Sequence, residues 1–185
     1  MSKTPEVRAR RAYFDTRFGQ LHVRTAFPGT GGFDEHTTLV CIHALQPAAG
    51  MASSRLFAPL LALIASDRSV YAPDRPGCGE SDGSAAGECA APHAQAMADL
   101  AADLRLRKID LLGFEDGCAV AVELALTHPD LVRRVVFLAS ASPGFAAQTA
   151  QLKQPTLVLR PDPPDVLTSD PAALAKATGP FLNQR

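Results

Sequence analysis

Apolar residues in this chain fall into short runs separated by glycine, proline and polar clusters, and the runs are of two kinds. From Arg11 to Phe18 and from Leu21 to Phe27, apolar and polar positions alternate, which is the period of a half-buried strand. Gly19 and Gln20 lie between them, so the pair predicts an antiparallel hairpin, ended by the Pro- and Gly-rich stretch from Pro28. Thr38 to Ile42 and Ser69 to Ala72 are apolar runs of strand length, and Arg55 to Ala65 between them has apolar residues all round, as a buried helix does. Strand, helix, strand predicts a βαβ crossover.

The second half repeats the alternation. Gly77 to Pro92 is rich in Gly, Ser, Ala and acidic residues and predicts a loop, followed by helix formers from Ala94 to Leu106. An apolar strand then runs from Lys108 through Gly113-Phe114-Glu115-Asp116-Gly117 straight into a helix that His128-Pro129 stops. Leu131 to Ala139 and Pro155 to Leu159 read as two more strands, joined by a short polar and alanine-rich connection, Ser140 to Gln154. Asp170-Pro171 opens a last helix through Leu182, with Asp170 as N-cap and Pro171 in the first turn. Buried strands alternating with helices predict an α/β fold: a doubly wound, mainly parallel sheet of about six strands, with a hairpin at its edge and helices on both faces. Residues 1–10 are expected to be a disordered N-terminal arm and 11–185 a single domain.

Composition narrows the function without choosing it. The chain is 46% apolar and 20% charged over 185 residues, enough for one full core. A net charge of −1 provides no electrostatic footprint for nucleic acid or an anionic membrane. The N-terminal basic cluster, Arg8, Arg10 and Arg11, reads as part of a solvated arm. No apolar run approaches the ~18 to 20 residues that span a bilayer, and no apolar leader opens the chain, so a cytoplasmic protein is expected. Cys41, Cys78, Cys89 and Cys118 lack zinc-site spacing and read as free thiols. No cofactor or metal is expected.

The Gly113-to-Gly117 turn has the frame of a nucleophile elbow, in which flanking glycines let a strained turn expose its middle side chain at the top of a sheet. That residue is Glu115. With this frame in place, five segments in order resemble the α/β-hydrolase superfamily: the strand Leu39 to Ile42 leading into His43-Ala44, the turn Asp74-Arg75-Pro76-Gly77-Cys78-Gly79-Glu80-Ser81-Asp82, the elbow, the helix end and strand from His128 to Leu138, and the strand Gln154 to Leu159. The resemblance implies the α/β-hydrolase fold in a truncated form without a lid domain, because Ser142 to Gln154 and Arg160 to Pro171 are short for the family's lid and for a further helix and strand. It also implies a triad of nucleophile, late histidine and acid. Position 115 is Glu, and the histidines are His22, His36, His43, His93 and His128, all before the strand that should carry the acid.

Two readings of the site follow. In one, Glu115 and Asp116 are polar residues beside the open N–H groups of a helix start, worth about 0.3 to 1 kcal/mol each. In the other, Glu115 is a carboxylate nucleophile, as in the epoxide-hydrolase and haloalkane-dehalogenase branches of the superfamily, or a rearranged set pairs Glu115 or Asp116 with His43 or His93. His43 resembles the oxyanion-loop histidine, Ala44 replaces the glycine beside it, and Phe114, Glu115, His43 and Ala44 are expected to border a crevice for a small molecule. Cys118, at the same helix start, is expected to face the helix packing. Ser81 is expected to bond local backbone, Asp162 and Asp165 stand where the acid belongs, and His93 is expected in a surface or capping place. The expected function is a pseudoenzyme that binds a small molecule or a partner; the alternative is hydrolysis of small ester, epoxide or halide substrates around Glu115. An exposed edge beside Pro155 to Leu159 would favour a homodimer.

Overall fold

A computed structural model describes residues 7–29, 36–45, 53–83, 89–139, 143–160 and 166–184. Seven strands form one sheet, in the order β1 (Val7–Thr16), β2 (Gly19–Pro28), β4 (Val70–Pro73), β3 (Leu39–Ile42), β5 (Ile109–Phe114), β6 (Val132–Leu138), β7 (Thr156–Leu159). From β4 to β7 all neighbours are parallel, while β1 pairs β2 and β2 pairs β4 antiparallel. The hairpin therefore closes one side of an otherwise parallel sheet, and the fold is a doubly wound α/β sheet with helices on both faces.

The strands carry two interleaved sets of apolar side chains because successive residues point to opposite faces. Val40, Ile42, Leu111, Val135 and Phe137 bury against one layer, formed by α2 (Ala90–Asp103), α3 (Gly117–Thr127) and Phe145 of α4 (Pro143–Thr149). Leu39, Cys41, Leu112, Val136 and Leu138 bury against the other layer, α1 (Ala58–Ile64), α5 (Val166–Ser169) and α6 (Pro171–Leu182). This is why the central strands read as continuous apolar runs.

Several boundaries differ from the expectations. The first strand begins at Val7, so Val7 to Arg10 belong to the sheet and not to a disordered arm; Arg8, Arg10 and Arg11 are exposed along it. The hairpin turns at Arg17-Phe18, with Thr16 opposite Gly19, not at Gly19-Gln20. Gly19 has φ +100° and serves the strand's entry instead. A 3-10 turn, Ser54–Phe57, precedes α1, and the short connection after β6 contains α4. Asp170 caps α6 by accepting from the Ala173 N–H at 2.9 Å. No lid domain is present among the described residues, and none of their helices is long and apolar enough to cross a membrane.

Candidate functional site

The elbow forms because its glycines have no room for a side chain. A Cβ on Gly113 would lie 2.8 Å from the Cys118 Cα, and one on Gly117 would overlap the Ile42 carbonyl oxygen. Between them Glu115 is held at φ +50°, a left-handed conformation that costs an L-residue about 1 to 2 kcal/mol. Its N–H donates to the Leu138 carbonyl at 2.9 Å, which ties the turn to the end of β6. The strained geometry of an elbow is thus kept although the residue within it is Glu.

Asp116 does not cap its own helix. Its carboxylate reaches across to the segment after β3, where it accepts from the Leu45 N–H at 2.8 and 3.1 Å, and from the Arg75 guanidinium at 3.0 Å. Arg75 is almost wholly buried and also donates to the His43 carbonyl at 3.2 Å. Burial pulls Arg75 below its ordinary value, while the Asp116 charge acts against that shift. A buried guanidinium needs this carboxylate, since a lone buried charge is costly.

His43 has both ring nitrogens committed. Nε2 accepts from the Arg75 N–H at 3.0 Å, so Nδ1 carries the proton and donates to the Ala44 carbonyl at 2.7 Å. Burial drives its pKa down to about 4, with the Ala44 bond acting the other way. The ring is therefore a neutral spacer with no lone pair available to a substrate. His43, Ala44 and Phe114 are buried and offer almost no open surface, so the crevice expected over them and Glu115 is not lined by those three side chains. Cys118 is likewise buried: its thiol donates to the Gly113 carbonyl at 3.2 Å, and burial pushes its pKa far up. It belongs to the core behind the elbow and does not line a pocket. All four cysteines are free thiols.

The Gly-rich turn has an organiser that the sequence concealed. Asp74, buried at the end of β4, accepts from the backbone N–H groups of Ser54 and Glu80 (2.9 Å to Glu80), and its other contact is the His22 Nδ1 at 2.8 Å. Burial alone would raise this carboxyl, but these donors prevail and hold it below its ordinary value. Ser81 donates to the Asp74 carbonyl at 2.8 Å and accepts from the His22 N–H at 2.9 Å, so its hydroxyl serves the backbone. The buried His22–Asp74 pair, with 1% and 2% side-chain exposure, positions the turn. His93 lies buried in the first turn of α2, not on the surface. Asp162 and Asp165 lie outside the described residues.

A strand–elbow–helix at the centre of a parallel sheet, with a β3 loop N–H facing it, defines a protein of hydrolase architecture. The chain belongs to the alpha/beta hydrolase fold family, whose model matches residues 37–180. It is 35% identical over 112 residues to 2-hydroxymuconate semialdehyde hydrolase of Pseudomonas sp. (strain CF600), which covers 58% of this chain and 38% of that protein. Carboxylesterase CesB of Bacillus subtilis is 28% identical with a TM-score of 0.60, over 78% of this chain and 50% of that one. The chain thus spans half or less of the length of these two relatives. A predicted CIB-like hydrolase of Thermoplasma acidophilum shares the fold over 96% of this chain and 99% of its own, with a TM-score of 0.73 at 15% identity.

Proposed function

We propose that this chain uses the hydrolase fold without acyl-transfer chemistry and acts by binding a small molecule or a partner. The observation that carries this reading is the position of the Asp116 carboxylate. Acyl transfer requires N–H donors aimed at the developing oxyanion, one from the residue after the nucleophile and one from the β3 loop. Here the Leu45 N–H of that loop is taken by Asp116, which also puts a negative charge where negative charge would have to develop. Glu115 at the elbow offers no hydroxyl or thiol for an acyl-enzyme.

A second reading has one observation in its favour: Glu115 is still held at φ +50° on the elbow. A carboxylate there attacks carbon, opens an epoxide or expels a halide, and leaves an ester that water must cleave. His43 cannot activate that water, because both its nitrogens are engaged.

A panel of short acyl esters, epoxides and haloalkanes, run with the wild type and Glu115→Ala, separates the readings. Equal background rates for both proteins are expected throughout. Ester hydrolysis by the wild type well above the variant overturns the non-catalytic reading, and a Glu115-dependent rate confined to epoxides or halides establishes the second.

A further inference from the structure

Away from the elbow, a cleft of about 760 Å³ opens between the hairpin and the 3-10 turn, lined by Arg11, Arg24, Arg55, Ser53, Ser54, Asp74, Gly79 and Glu80. That volume is in the range of small-molecule sites. Its walls carry an imbalance of charge. Arg11 and Arg24 stand directly opposite one another across β1 and β2, a like-charge pairing that weakens a sheet unless an anion lies between or over the two. Arg11 leans on Glu80 at 3.4 Å, an exposed pair of little strength.

Arg24 and Arg55 make no ion pair with any described residue, and the Arg24 Nε is buried without a hydrogen-bond acceptor. The acidic group deepest in the cleft is already consumed: Asp74 takes the Ser54 and Glu80 N–H groups and the His22 ring. Two uncompensated guanidinium groups, one with a desolvated donor, are then left facing a cavity edged by Ser53 and Ser54. A desolvated donor with no acceptor is costly, and a bound oxyanion removes that cost.

We propose that this cleft binds the phosphate of a small phosphate monoester. Arg24 and Arg55 grip the dianion, the Ser53 hydroxyl completes its shell, and the organic part occupies the remaining volume. Two unmatched cations suit a dianion better than a single carboxylate, and planar guanidinium forks suit phosphate oxygens. The site is separate from the elbow and stands whether or not Glu115 reacts.

Calorimetric titration of the full chain with phenyl phosphate, inorganic phosphate and benzoate, in low-salt buffer, tests it. Phenyl phosphate is expected to bind with Kd on the order of 0.1 to 1 mM. Loss of one charge-assisted contact in Arg24→Gln or Arg55→Gln should weaken it about 10- to 100-fold. Arg55 is exposed, so its variant folds irrespective of the fate of Arg24→Gln, and Arg24→Lys retains the charge while losing the fork, with intermediate affinity expected. Glu115→Ala should bind like the wild type, which keeps a failure here distinct from a failure of the non-catalytic reading. No binding by the wild type, unchanged affinity in Arg55→Gln, or benzoate binding as tightly as phenyl phosphate would overturn the proposal.

Discussion

At the residue scale the groups beside the elbow hold one another. His43 is the clearest case, since its neutral ring bridges Arg75 and Ala44 in a buried position. Its pKa falls from 6.5 to about 4 on folding, so below pH 6.5 the unfolded chain takes up a proton that the folded chain refuses. Stability contributed by the neutral ring is present above pH 6.5 and is lost as the pH falls to about 4, amounting to about 3 kcal/mol at most. Arg75, Asp74 and Asp116 are the charges that act on the ring, and Asp74, held below its ordinary value, loses its own contribution only at more acid pH. Urea midpoints followed from pH 7 to 4 should show this slope in the wild type and a flatter one in His43→Gln. Asp116→Ala leaves the buried Arg75 and the Leu45 N–H without their acceptor, and should cost about 1 to 3 kcal/mol in the same assay. Asp116→Asn, which can still accept from Leu45, should cost less.

At the element scale, α6 starts with the Asp170 cap, whereas α1, α2 and α3 start without a side-chain cap bond. Helix α2 ends in a Schellman motif: the Leu106 N–H bonds the Ala101 carbonyl at 2.8 Å and the Arg105 N–H bonds the Ala102 carbonyl at 3.0 Å. The position that must be left-handed is Arg105, at φ +55° and exposed to solvent. Arg105→Gly should therefore raise stability by about 1 kcal/mol, read as a higher melting temperature. Glu115 has the same backbone signature for a different reason. Its neighbours Gly113 and Gly117 are clamped against Cys118 and the end of β3, so the turn is imposed by tertiary packing and not by the preference of the residue in it.

At the scale of the whole molecule, one buried carboxylate ties the base of the sheet to the last helix. Asp110 of β5, wholly buried, accepts from Arg133 Nε at 2.9 Å and Nη2 at 2.6 Å, and Arg133 also donates to the Leu182 and Gln184 carbonyls at 2.6 Å each. Arg68, on the other side of Asp110 at 3.7 Å, bonds Asn183 just beyond the same helix. Removing the carboxylate strands Arg133 and leaves Arg68 with Asp67 alone, so Asp110→Ala should destabilise by about 3 to 5 kcal/mol. Hydrogen exchange should show α6 loosened first.

The alternation of apolar runs with helix formers was enough to establish a parallel sheet, the hairpin at its edge and the Asp170 cap, because strand period, turn chemistry and capping are local properties. The elbow was legible for the same reason: two glycines at that spacing between a strand and a helix leave few alternatives. Its place in the Gly-x-Gly turn also gave Ser81 a backbone-bonding role, which its bonds to His22 and Asp74 bear out. The extra length of β1 was not visible, since Val7 to Arg10 reads as a charged tail until Phe27 and Pro28 are known to lie opposite. Nor could spacing along the chain reveal that Asp116 turns to Leu45 and Arg75, that His22 meets Asp74, or that Arg11 and Arg24 face one cleft. Those contacts join residues from 13 to 71 positions apart, and they exist only where strand order and register bring distant segments together. Local sequence determines which elements form; which polar groups are paired, and which are left for a ligand, is decided by burial, because only in the folded interior does an unpaired charge carry a cost.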